Sequence, residues 1–108
     1  MRLLTRPEEF VLLAVWRLQD DAYTLPIRDQ LVRLTGRDWS LGSVFTPLER
    51  LTRDHLVTSS LTDALPERGG RPRRVYRLTP SGRQALLDIR TVEEAMWTGV
   101  SMGALRGA

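Results

Sequence analysis

Helical spacing of apolar residues dominates this chain, giving way to short β-prone runs only between residues 56 and 78. Residues 7–19 carry Phe10, Val11, Leu12, Leu13, Ala14, Val15, Trp16 and Leu18. A helix apolar around most of its circumference is expected to be buried on several sides, with Trp16 as a core anchor. Ahead of it, Thr5-Arg6-Pro7-Glu8 has the form of a capping box with proline in the first turn. A second helix is predicted over 25–35, with Ile27, Leu31 and Leu34 at i, i+4, i+7, Thr24 as the cap and Gly36 as the stop. A third opens at Ser40 and runs over 41–54, with Val44, Phe45, Leu48 and Leu51 pointing inward. Pro47 inside it removes a backbone donor and is expected to tighten or bend the helix without breaking it.

Residues 56–62 and 73–78 read as two antiparallel strands around a loop. Thr79-Pro80 then caps and starts a last helix in which Ala85, Ile89, Val92 and Met96 repeat at i, i+4, i+7, i+11. This near-heptad seam is long for a domain whose core is already closed, so a partner helix is expected along it. The order predicts an α+β, mostly α fold: a winged helix-turn-helix of three helices and a two-stranded β-wing over residues 1–79. A C-terminal dimerisation helix over 80–98 and a flexible tail over 99–108 complete it.

The polar positions sharpen that picture. Ser43, Thr46, Arg50 and Arg53 fall at i, i+3, i+7, i+10 and are expected to share the outer face of the third helix. Hydroxyls there serve base edges or phosphates, and an arginine reaches guanine with two hydrogen bonds. Glu49 is expected to pair with Arg53 at i, i+4. Net charge is only +3, yet Arg68, Arg71, Arg73, Arg74 and Arg77 crowd into ten residues that hold no acid. Arg71, Arg73 and Arg74 suit the DNA backbone or minor groove, and Arg77 and Arg68 suit salt bridges. Tyr23 and Tyr76 are expected to pack with solvent-facing hydroxyls. A polar helix face followed by an arginine-tipped hairpin is how a winged helix meets double-stranded DNA.

Composition removes other classes. With 108 residues there is room for one domain, and with no cysteine and one histidine, His55, neither a disulfide nor a His/Cys metal site can form. No nucleophile set or phosphate-cradling loop is present, and Gly69-Gly70 lacks the lysine and helix of a P-loop. The expectation is therefore a non-enzyme without cofactor or metal, off the membrane and cytoplasmic.

The chain resembles the PadR-like transcriptional regulators over about residues 5–98. The resemblance rests on Phe10-Val11-Leu12-Leu13-Ala14-Val15, Ala22-Tyr23-Thr24, Leu34-Thr35-Gly36-Arg37 and Ser40-Leu41-Gly42-Ser43-Val44-Phe45. It continues through Leu48-Glu49-Arg50-Leu51, Gly69-Gly70-Arg71-Pro72-Arg73-Arg74 and Tyr76-Arg77-Leu78-Thr79-Pro80-Ser81-Gly82. It implies a homodimeric repressor on an inverted-repeat operator, joined by the C-terminal helix, with a small planar aromatic effector near the dimer interface. Trp97 is the candidate effector-binding residue, because on a dimerising helix two indoles would flank a planar ligand. Three positions depart from the family: Phe45 replaces a tyrosine, Pro47 sits one place later than the proline of some members, and His55 stands where glycine is common. The first two motivate an alternative, a winged-helix protein-interaction module without sequence-specific DNA binding.

Overall fold

In the computed structural model, which describes residues 2–62 and 72–107, the third helix is held at both ends by features written into its sequence. The elements are α1 (Arg6–Leu18), α2 (Thr24–Thr35), α3 (Leu41–Arg53), β1 (Val57–Leu61), β2 (Arg74–Leu78), α4 (Pro80–Trp97) and α5 (Met102–Leu105), with a 3₁₀ turn at Gln19–Asp21. Ser40 Oγ accepts from Ser43 N at 3.0 Å and so caps α3. At the other end Leu56 N donates to Leu51 O at 2.9 Å and His55 N to Thr52 O at 3.1 Å. That pattern is a Schellman closure, and it needs a left-handed residue at His55, whose φ is 60°. Buried Pro47 sits inside an unbroken α3.

The remaining caps follow the sequence as well. Thr5 and Glu8 form both halves of the capping box, Gly36 ends α2 at φ 69°, and Thr79 Oγ1 accepts from Gly82 N to start α4. Thr24, expected as a cap, is instead the first residue of α2, and Tyr23 precedes it without a side-chain cap.

Val11, Leu12 and Val15 of α1 meet Ile27 and Leu31 of α2, Val44, Leu48 and Leu51 of α3, and Val57, Tyr76 and Ala85 in one core. β1 and β2 pair antiparallel from Val57↔Leu78 to Leu61↔Arg74. Tyr76 N also donates to Ala22 O at 2.8 Å, which ties the hairpin to the turn before α2. Among the described glycines Gly82 makes the closest approach to a neighbour: a Cβ there would lie 2.1 Å from Leu56 O.

Four apolar expectations are corrected. Trp16 is 47% exposed, Leu34 56% and Phe45 42%, and Leu13 also faces outward. α1 is buried on several sides, against α2, α3, α4 and β2, but Leu13 and Trp16 lie on its uncovered strip and with Leu34 border an apolar groove of about 600 Å³ between α1 and α2. The segment after Gly99, expected as a flexible tail, carries α5, capped by Ser101 Oγ accepting from Ala104 N at 3.1 Å. No helix of the described residues is long and apolar enough to cross a membrane.

Candidate nucleic-acid interface

The buried positions of α3 fix which side of it faces out. Val44, Pro47, Leu48 and Leu51 turn into the core, and at about 100° per residue the opposite meridian runs through Gly42, Thr46, Glu49 and Arg53. All four are exposed. The expected stripe of Ser43, Thr46, Arg50 and Arg53 is therefore divided. Thr46 and Arg53 lie near its middle, while Ser43 and Arg50 lie on the flank toward α1.

That α1 flank is tethered. Ser43 Oγ donates to Ser40 O at 2.7 Å, leaving the hydroxyl's lone pairs as its outward function. Arg50 Nε lies 3.8 Å from Glu8 Oε2, and Arg2 bridges Glu8 to Asp54, with Arg2 Nε 3.1 Å from Asp54 Oδ2. Glu8 is 1% exposed. Burial pushes its carboxyl pKa up, but the backbone hydrogen bond from Thr5 and the Arg2 guanidinium together outweigh burial and hold it below the usual carboxylate value. The N-terminal end of α1 and the C-terminal end of α3 are thus clamped by one buried carboxylate. Only its capping role is readable from Thr5-Arg6-Pro7-Glu8. The bridge to Arg50 spans 42 positions and leaves no local signal.

The other flank is open. Phe45, Glu49 and Arg53 of α3 and Arg73 and Arg74 of the hairpin line a groove of about 740 Å³, which Tyr23 also borders. Phe45, expected inward, is here an exposed groove wall. The Arg73 guanidinium lies over the Tyr23 ring, 4.4 Å from its centroid. Arg74 donates to Ser59 Oγ across the strands at 3.0 Å. Arg77 pairs with Asp20, as expected of a salt-bridge residue. Tyr76 is buried in the core, so its expected packing role stands. The i, i+4 pair of Glu49 with Arg53 is not made: among the described residues no ion pair involves Glu49. Arg68 and Arg71 lie outside the described residues.

On α4 the seam changes character along its length. Ala85 is buried in the core, Ile89 packs against it, and Val92 is half-buried. Met96 is 73% exposed and Trp97 54%. Trp97 borders a cleft of about 410 Å³ with Phe10, Leu13 and Glu93. At its rim Arg6 Nη1 bridges Glu9 (3.2 Å) and Glu93 (2.5 Å). Burial first, and the neighbouring Glu93 second, raise the Glu9 pKa against the opposing pull of Arg6. Among the described residues no cluster could hold a metal ion.

Residues 12–88, most of the chain, match the sequence family described as "Transcriptional regulator PadR-like family". The chain belongs to this family. PadR-like proteins are DNA-binding transcriptional regulators and not enzymes. The fold agrees with that membership. RosR of H. salinarum superposes with a TM-score of 0.70 at 23% identity, covering 97% of this PadR-like chain and 87% of RosR. A PadR-like transcriptional regulator from Bacillus cereus gives 0.70 at 22% identity, covering 86% and 85%. A PadR family regulator from Eggerthella lenta gives 0.67 at 23%, covering 88% and 79%. No curated protein matches the sequence.

Proposed function

We propose that this PadR-like regulator is a homodimeric repressor that reads an inverted-repeat operator, with α3 in the major groove and the hairpin arginines on the backbone or in the minor groove. The observation that carries the reading is the uncovered polar meridian of α3 beside an arginine-bearing hairpin, the two enclosing a groove open to a phosphate chain. Thr46 and Arg53 face the bases, Ser43 and Arg50 meet the strand on the α1 side, and Arg71, Arg73 and Arg74 hold the other strand. In the dimer the two α3 helices enter successive major grooves about 34 Å apart.

Dimerisation runs through the distal half of α4. Ala85 and Ile89 belong to the chain's own core, so Val92 and Met96 carry the seam, joined by exposed Trp97, Val100, Met102 and Leu105. Exposed apolar side chains at this density are the signature of an interface. A planar aromatic effector enters at Trp97, whose indole edges the cleft against Phe10.

Footprinting on the DNA upstream of the protein's own gene, across a salt series, tests the reading. A protected two-fold symmetric site with a steep salt dependence is the expected result. The double variant Arg71→Ala, Arg73→Ala weakens binding to all sequences and lowers the slope of log K against log salt by about one for each phosphate no longer neutralised. Absence of any protected site at low salt would favour the protein-interaction module. Quenching of tryptophan fluorescence by planar aromatics, abolished in Trp97→Ala, tests the effector site.

A further inference from the structure

The outward face of α3 carries a carboxylate among its arginines. Glu49 lies on the meridian opposite the core, between Thr46 and Arg53, and is exposed. Among the described residues it has the neighbours an ion pair needs and does not use them. Arg53 follows at i+4 without pairing, and Arg50, next in sequence, is drawn round the helix to Glu8. Arg73 and Arg74 across the groove are held by the Tyr23 ring and by Ser59. Facing a polyanion, such a carboxylate weakens binding wherever it meets phosphate, because each negative charge subtracts from the electrostatic attraction. It is compensated only by a hydrogen-bond donor on the DNA.

The donors in the major groove are the exocyclic amines of cytosine and adenine. Adenine N6 stands between two acceptors, its own N7 and thymine O4, which repel a carboxylate, whereas cytosine N4 has an acceptor, guanine O6, on one side only and C5–H on the other. Guanine O6 and thymine O4 present lone pairs and are rejected outright. Phe45, one turn earlier, is an exposed ring on the groove side of the same face. Its natural counterpart on a base edge is the thymine methyl group.

We propose that Glu49 is a specificity-determining residue that accepts a hydrogen bond from cytosine N4 in each operator half-site, with Phe45 packing on a thymine methyl at a neighbouring step. This rests on the DNA-reading function proposed above. Glu49 lowers affinity for DNA in general and restores it only on the sequence that supplies the amine, so it acts as discrimination more than as attraction.

Selection from randomised double-stranded DNA, with the full chain as wild type, Glu49→Gln, Glu49→Ala and Phe45→Ala, decides the matter. Circular dichroism first establishes that each variant is folded. The wild type is expected to select a symmetric motif with cytosine at one position per half-site, a wrong base there costing about 10- to 100-fold in Kd. Glu49→Ala loses the preference at that position alone. Glu49→Gln moves it to adenine, whose N6 and N7 suit an amide. Phe45→Ala relaxes a thymine at an adjacent position. If both Glu49 variants tighten binding to every sequence alike and leave the motif unchanged, the carboxylate is only an electrostatic brake and the inference falls while the regulator reading stands. If the wild type selects no motif, both fall together.

Discussion

The two ends of α4 both carry apolar residues on the seam and live in opposite surroundings. At its start Gly82 touches Leu56 O and Ala85 sits in the core. At its end Met96 and Trp97 stand in solvent, followed by exposed Val100, Met102 and Leu105. Both ends are apolar, but only the first is used by the monomer. Apolar surface is buried on folding or on association, and the position along this one helix tells which.

The same truncation in the core beneath the start of α4 and in the exposed segment after its end should therefore have very different consequences. Leu51→Ala, in the core that the start of α4 covers, is expected to cost about 2–5 kcal/mol. Leu105→Ala should leave monomer stability within about 0.5 kcal/mol. Urea denaturation at a concentration that keeps the chain monomeric measures both, and equal losses would erase the distinction. Gly82→Ala is the next largest effect. Its methyl has no room beside a backbone carbonyl, and the shift it forces should cost about 1–3 kcal/mol by the same measurement.

The acidic residues extend the contrast to pH. Glu8→Gln is expected to cost about 1–3 kcal/mol at neutral pH by unpairing Arg2 and weakening the α1 cap. Because the folded pKa of Glu8 lies below its ordinary value, the stabilisation it supplies is complete above the usual carboxylate range. It disappears as pH falls through the lowered value. The variant should flatten that acid limb of a Tm-against-pH curve. Glu9, at the α1–α4 junction, has the opposite sign. Its pKa is raised, so the charged form weakens folding at neutral pH, and the penalty is relieved as pH falls into the raised range. Glu9→Gln should raise Tm slightly at neutral pH and remove that gain in mild acid. Smallest of all in stability is Met96→Asp, expected within about 0.5 kcal/mol for the monomer. Its effect appears in sedimentation, as dissociation of the dimer, and a dimer that survives the substitution would move the interface away from the end of α4.

Local signals carry much of this molecule. Thr5 with Glu8, Ser40, Gly36 and Thr79 mark helix ends because caps satisfy backbone groups within a few residues. The left-handed turn at His55 is visible in the same way, as a position where glycine is common. The family is legible because its motifs are strung in order along the chain. The errors over apolar positions share one cause. Periodicity groups Leu13 with Trp16 and Phe45 with Leu48, but on a helix with apolar residues on two sides it does not say which side another element covers. Trp16, Leu34 and Phe45 read as inward for that reason. The Glu49–Arg53 pair failed because spacing permits a contact without compelling it.

Element order, caps, the arginine hairpin and membership in a regulator family were thus settled by residues close together in sequence, where sterics and backbone hydrogen bonding act over one or two turns. Tertiary packing alone decided that Arg50 turns to a glutamate 42 positions away, that Phe45 and Glu49 line the open groove, and that α4 divides into a core half and an exposed half. These outcomes depend on which surfaces meet, and burial of apolar area is a property of the assembled chain that no local window contains.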